Sequence, residues 1–96
     1  MIDIKEALDK FEGEYLKFER VVDKLHSRPD LCAFLLLDKL LPHSGNDMVC
    51  AAEHDEIFLD ADFDKLGEVA TEADILTLVR CGVFYDSETD SLSMLA

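Results

Sequence analysis

The sequence predicts an α+β fold, with a long N-terminal helix and a buried second helix packed on a small antiparallel sheet. Three observations predict it. Apolar residues recur at helical spacing from Ile4 to Leu25. An almost wholly apolar segment, Leu31 to Leu41, follows a proline-containing break. From Met48 onward the pattern changes to short β-type runs, helical stretches and turn residues.

In the first segment Ile4, Leu8, Phe11, Tyr15, Phe18, Val22 and Leu25 alternate spacings of four and three, which makes one apolar stripe on a helix. Lys5, Asp9, Glu12, Glu19 and Asp23 fall on the opposite face. Asp3 with Glu6 resembles a capping box, and Glu6 with Lys10 is an i,i+4 pair in the favourable order. Gly13 is the weak point, costing about 1 kcal/mol relative to Ala. The helix is predicted to run to about His26, roughly 35 Å. Most of the stripe is expected to be core; a coiled-coil seam is the alternative use of a 3.5-residue period. Ser27-Arg28-Pro29-Asp30 punctuates, with Ser27 as cap, Pro29 in the first turn and Asp30 at the positive helix end. Leu31–Leu41 (LCAFLLLDKLL) is apolar nearly all round and is therefore expected at the buried centre. Pro42 ends it, so residues 1–42 read as a helical hairpin, followed by a loop over His43–Asp47.

Residues 48–96 form the acidic strand, helix and hairpin half. Met48–Ala52 and Glu56–Asp60 read as strands joined by Glu53-His54-Asp55. Phe63–Ala70 is a short helix with Asp62 as cap, and Thr71-Glu72-Ala73-Asp74 opens another with Ile75, Leu76, Leu78 and Val79 on its apolar face. Gly82 is placed to end it. Val83–Tyr85 and Leu92–Leu95 are strands connected through Asp86–Ser91. The order helix, turn, helix, hairpin from Phe63 to Leu95 resembles a winged helix-turn-helix unit, over about a third of the chain. That resemblance implies a DNA-reading helix and wing, which need Lys and Arg. Here Glu72–Cys81 has only Arg80, and the hairpin tip carries Asp86, Glu88 and Asp90. The electrostatics are inverted, and a protein partner is the expectation.

Composition bounds the rest. The chain has 96 residues and reads as one domain, 1–96. Acids number 22 against 9 Lys and Arg, a net charge of −13 that repels nucleic acid and anionic lipid. Hydrophobic residues make up 49%, which excludes a disordered acidic tail. The longest apolar run, Leu31–Leu37, is too short for a bilayer span. The start, Met1-Ile2-Asp3-Ile4-Lys5-Glu6, lacks the pattern of a secretory signal, and three scattered cysteines (Cys32, Cys50, Cys81) fit a reducing, cytoplasmic setting rather than a disulfide framework. Cys32 and Cys81 read as buried, inert thiols.

The charge is uneven. Residues 1–48 hold seven bases and ten acids; residues 49–96 hold two bases, Lys65 and Arg80, and twelve acids. The expected partner-binding residues are Asp55, Glu56, Asp60, Asp62, Asp64, Glu68, Glu72, Asp74, Asp86, Glu88 and Asp90, which would offer acceptors to Arg or Lys. If the chain stays extended there, Asp60, Asp62 and Asp64 form an outward row about 6.6 Å apart, commensurate with nucleic-acid phosphates. The competing expectation is that Asp62 or Asp60 caps the short helix.

Chemical motifs are absent. Asp60-Ala61-Asp62-Phe63-Asp64 opens like an EF-hand loop, but Lys65 stands where glycine is needed and Thr71 where a bidentate Glu is needed. Cys50, His54 and His43 lack zinc-site spacing, and Cys50 with His54 makes a poor nucleophile pair. His26 and His43 read as helix-end residues. The glycines are isolated, so no phosphate loop exists, and no carboxylate pair points to a glycosidase. Neither enzymatic activity nor a cofactor or metal is expected. The expected function is a small acidic interaction module that binds a basic surface of another protein, including as an inhibitor that mimics nucleic acid. The alternative is a structural or adaptor subunit, or a homodimer, joined through an apolar helix or hairpin and acidic only for solubility.

Overall fold

The computed structural model describes residues 1–42, 49–53 and 55–95. Two β-hairpins lie side by side in one sheet. β1 (Val49–Glu53) pairs with β2 (Glu56–Leu59), and β3 (Phe84–Asp86) with β4 (Ser91–Leu95). β4 also pairs with β2, giving the order β1-β2-β4-β3 with every pairing antiparallel. With helices α1 (Ile4–Lys10), α2 (Pro29–Leu40), α3 (Phe63–Val69) and α4 (Glu72–Arg80), this is an α+β fold. The order α3, α4, β3, β4 follows the sequence expectation, and no helix among the described residues is long and apolar enough to cross a membrane. The loop expected over His43–Asp47, Met48 and the turn residue His54 lie outside the described residues.

Strand alternation gives the sheet two different faces. Leu59, Leu92 and Met94 point to one side, where they join Ile4, Leu8, Leu36, Leu66, Ile75 and Leu78 in the core cluster. Phe58, Ser93 and Phe84 lie in one register row on the other side. Met94 and Leu92 bracket Ser93 in sequence, so successive buried residues of β4 serve opposite faces.

α4 is the central helix: Ile75, Leu78 and Val79 are buried. Its ends are written in the sequence. Thr71 Oγ1 accepts from Asp74 N–H at 3.2 Å, and Asp74 Oδ2 accepts from Thr71 N–H at 2.9 Å, a reciprocal box that satisfies two otherwise open donors. At the other end Gly82 has φ +104°, its N–H donates to Val79 O and that of Val83 to Leu78 O, the Schellman pattern.

The N-terminal segment departs from expectation. α1 stops at Lys10, and Glu12–Glu14 and Phe18–Arg20 are single 3₁₀ turns rather than parts of one long helix. Gly13 weakens the helix locally, and tertiary partners outbid continuation. Glu14 Oε1 accepts from Arg80 Nη2 at 2.6 Å and Nε at 3.1 Å, while Oε2 accepts from Arg20 Nη1 at 2.8 Å. Leu16, at φ +62°, donates its N–H to Val79 O. The stripe keeps its burial without the helix as far as Phe18: Ile4 and Leu8 are buried, and Phe11, Tyr15 and Phe18 pack against the core. Beyond it fails, because Val22 is 89% exposed, Leu25 is exposed and Val21 is buried instead. No continuous helix remains to form a coiled-coil seam over residues 4–25.

α2 also differs. Pro29 occupies its first turn as expected, but Arg28, not Ser27, is the N-cap residue and supplies no side-chain cap. Cys32, Ala33, Leu36 and Leu37 are buried while Leu31 and Leu35 are exposed, so α2 covers the core with one face and is not its centre.

Candidate functional site

The eleven carboxylates expected to bind a partner divide into groups with different occupations. Asp62 caps α3: its Oδ1 accepts from Asp64 N–H at 2.9 Å and Lys65 N–H at 3.1 Å. Asp74 completes the α4 box. Glu72 meets Lys10 Nζ at 2.9 Å. Asp90 meets Lys5 Nζ at 2.8 Å and accepts from Tyr85 OH at 2.6 Å. Asp86 Oδ1 accepts from Glu88 N–H at 2.8 Å and Thr89 N–H at 3.3 Å, which closes the β3–β4 turn. Asp55, Asp60, Asp64, Glu68 and Glu88 are exposed, and none meets a cation among the described residues.

The extended row of Asp60, Asp62 and Asp64 does not exist. β2 ends at Leu59, and Asp62 and Asp64 sit at the cap and in the first turn of α3. Two open backbone donors at the helix start hold Asp62 inward, an arrangement a strand cannot offer. The EF-hand reading ends with it, since Asp62 is engaged as a cap.

Around Asp90 the electrostatics are local and self-consistent. The Lys5 ammonium lies 5.7 Å from the Phe63 ring centroid and 5.2 Å from that of Tyr85. Its hydrogen bond to Asp90 raises the Lys5 pKa and lowers that of Asp90, and the same carboxylate raises the Tyr85 phenol by accepting a hydrogen bond from its O–H. This cluster joins α1 to the second hairpin and leaves Asp90 already neutralised.

The outer sheet face holds a different arrangement. Phe58, Ser93 and Phe84 are directly paired across β2, β4 and β3; Glu56 lies two residues from Phe58, and Asp86 two from Phe84 in the opposite sense. Glu56, Ser93 and Asp86 therefore lie on one diagonal of the sheet, with the smallest side chain in the middle, and diagonal neighbours are within reach of long side chains. Glu56 reaches across β4 to Asp86. Their hydrogen bond, with burial second, raises the Glu56 pKa, and Glu88 adds repulsion; Asp86 is lowered, first by the same contact and then by the turn N–H groups. Ser93 opposes the Glu56 shift by its proximity, yet no hydrogen bond of ordinary geometry reaches its hydroxyl. Ser93 is 0% exposed, and both its Oγ and Glu56 Oε2 are buried without a partner.

The remaining nucleophiles and ligands do not assemble. Cys32 and Cys81 are buried, and burial, reinforced by the neighbouring Cys32, pushes the Cys81 thiol up to about 12. Cys50 is exposed, with Sγ 3.4 Å from Phe58 O. His26 Nδ1 accepts from Arg28 N–H at 3.1 Å in the turn before α2. No group of three His, Cys, Asp or Glu side chains among the described residues is placed to hold a metal ion. His43 and His54, and with them the zinc and Cys–His readings, lie outside the described residues.

Sequence reasoning passed over Ser93 and the Glu14–Arg80 pair. The alternation Leu92-Ser93-Met94 carried the signal for Ser93, because it puts a hydroxyl on the face opposite two large apolar residues. Nothing in the local pattern marks Glu14 and Arg80 as partners. Comparison with known family models, curated proteins and solved structures finds no match for this chain.

Proposed function

We propose that this protein is an acidic interaction module that binds a basic surface on another protein. One observation supports the reading above others. Among the described residues, Glu72 and Asp90 are the only members of the acidic set 55–90 that meet a cation, while Lys5, Lys10, Lys17, Arg20 and Arg28 of the first half are drawn to Asp90, Glu72, Glu14 and Asp30. Asp55, Asp60, Asp64, Glu68 and Glu88 are left to solvent, and such carboxylates attract and steer a cationic partner. Inhibition of a nucleic-acid-binding protein is one form of this activity. It would rest on the summed field, since a regular phosphate-like row is not among the arrangements available.

The test is capture of host proteins on the immobilised chain at low and high salt, beside an Asp60→Asn/Asp64→Asn/Glu68→Gln variant. Retained proteins should be basic, released by salt and weakly held by the variant. Retention indifferent to ionic strength would remove the electrostatic mechanism.

A second reading rests on Leu31 and Leu35, exposed one turn apart on α2, with Val22 and Leu25 exposed in the preceding segment. These suit an adaptor or homodimer contact. Sedimentation distinguishes the two: a dimer that survives high salt favours this reading, a monomer the first.

A further inference from the structure

We infer that the Glu56–Ser93–Asp86 diagonal on the outer sheet face is a seat for one guanidinium group, an arginine side chain supplied by the basic partner. The inference rests on the reading of the protein as a binder of basic surfaces and names the group that one part of that surface recognises.

The argument begins with unmet hydrogen bonds. Buried acceptors are nearly always paired, because desolvation without a donor is costly. Here Glu56 Oε2 and the fully buried Ser93 Oγ both lack a partner. They belong to one diagonal by register, and Asp86 ends it. The groups that act on Glu56 are Asp86, Ser93 and Glu88, so no cation among the described residues is set against the diagonal. What is missing is a donor that carries positive charge.

The shape selects the kind of cation. Phe58 and Phe84 flank Ser93 in its register row. A guanidinium is planar, stacks on aromatic rings and presents several N–H groups in a fixed fork. One edge can serve both carboxyls while a face meets an aromatic residue of that row, where the Phe84 ring also packs edge-on against Tyr15 with centroids 6.0 Å apart. A compact ammonium carries the charge but not the flat faces. A metal ion is poorly served, because the described residues offer no third carboxylate, His or Cys in coordinating position.

Beside Asp86, Glu56 keeps its proton to higher pH than an isolated carboxyl, while Asp86 gives its own up more readily. A guanidinium favours the doubly ionised pair, so at pH values where Glu56 is still protonated its arrival displaces that proton to solvent. Binding is therefore coupled to release of a proton and strengthens as pH rises through the Glu56 titration.

The experiment is an NMR titration of the full chain with a capped glycine-rich peptide carrying one arginine, and with its lysine twin, at low salt. The expected result is perturbation centred on the amides of Glu56, Phe58, Ser93 and Asp86. The arginine peptide should bind more tightly than the lysine peptide, and its affinity should climb with pH. Glu56→Gln should weaken arginine binding about tenfold, the loss of one charge-assisted contact, and flatten the pH response. Asp86→Asn keeps the turn acceptor and provides the same test should Glu56→Gln disturb folding. Equal affinity for the two peptides, or wild-type binding by both variants, would overturn the inference; salt-sensitive shifts spread over the other acids would leave the acidic-surface reading standing. No perturbation by either peptide would count against both.

Discussion

The two faces of the sheet are built from adjacent residues yet obey opposite rules. On the inner face Leu92 is 0% exposed among Leu59, Met94, Ile75 and Leu78, and the side chains it packs with there are apolar. On the outer face Ser93 is equally buried, but its hydroxyl has no partner and it lies between two hydrogen-bonded acids. The same degree of burial thus contributes stability at one residue and costs it at the next. A close-packed apolar face accounts for the existence of the fold. A buried polar group left unsatisfied needs another reason, and a ligand that supplies the missing donor is such a reason.

The most direct way to break this comparison is to truncate both residues. Leu92→Ala removes a wholly buried side chain from a strand paired on both sides, and about 3 kcal/mol of unfolding free energy should be lost, measured by urea denaturation. Ser93→Ala removes an unpaired hydroxyl and should be neutral or stabilising by up to about 1 kcal/mol. A cost comparable with that of Leu92→Ala would mean that Ser93 is a structural member of the core, and the distinction between the faces would fall.

Between these lies a test of the helix layer that closes the inner face. Gly82 ends α4 at φ +104°, and a Cβ there would stand 2.8 Å from Leu16 Cδ2. Gly82→Ala combines a left-handed backbone penalty with that clash, so a loss of about 1–2 kcal/mol is expected in the same unfolding measurement. Were the loss absent, the Schellman stop would not be what holds α4 against the sheet.

How much of this was legible in the sequence follows from range. The Asp62 cap, the Thr71–Asp74 box and the Gly82 stop depend on residues within four positions of each other, and each appears where the pattern placed it. The four-and-three spacing from Ile4 to Phe18 reported which residues face the core, yet not that they would do so from one long helix. Periodicity reads burial, and the backbone broke because Arg80 and Val79, more than sixty residues away, offered Glu14 and Leu16 partners that a helix would have denied them. Strong local apolarity likewise overstated the burial of α2. The Glu56–Ser93–Asp86 diagonal was beyond local reading for the same reason: it exists only once β4 inserts between β2 and β3. The acids of the second half look equivalent in the sequence, whereas caps, turns and two lysines occupy several of them in the fold.

The finest way to sharpen the contrast uses pH, because the outer face carries the paired carboxyls Glu56 and Asp86. The Glu56 pKa is raised above its ordinary 4.5, chiefly by the hydrogen bond with Asp86. A carboxyl raised on folding binds protons more readily in the native chain than in the unfolded one. Its contribution is therefore favourable below 4.5 and fades as pH climbs through the folded value. Asp86, Asp90 and Glu14 behave oppositely: each is lowered by its hydrogen-bond partners, so each stabilises the native state at neutral pH and loses that contribution as acid protonates it. The wild-type stability curve should then show an acid limb from the lowered group and a gentler decline above 4.5 from Glu56. Glu56→Gln retains a neutral donor toward Asp86 and cannot ionise. It should leave the acid limb in place, abolish the decline, and match or exceed wild-type melting temperature at neutral pH. Leu92→Ala, by contrast, should lower the whole curve without changing its shape. If Glu56→Gln instead steepened the decline, the two carboxyls would not share a proton on the outer face, and the difference between the faces would be one of packing alone.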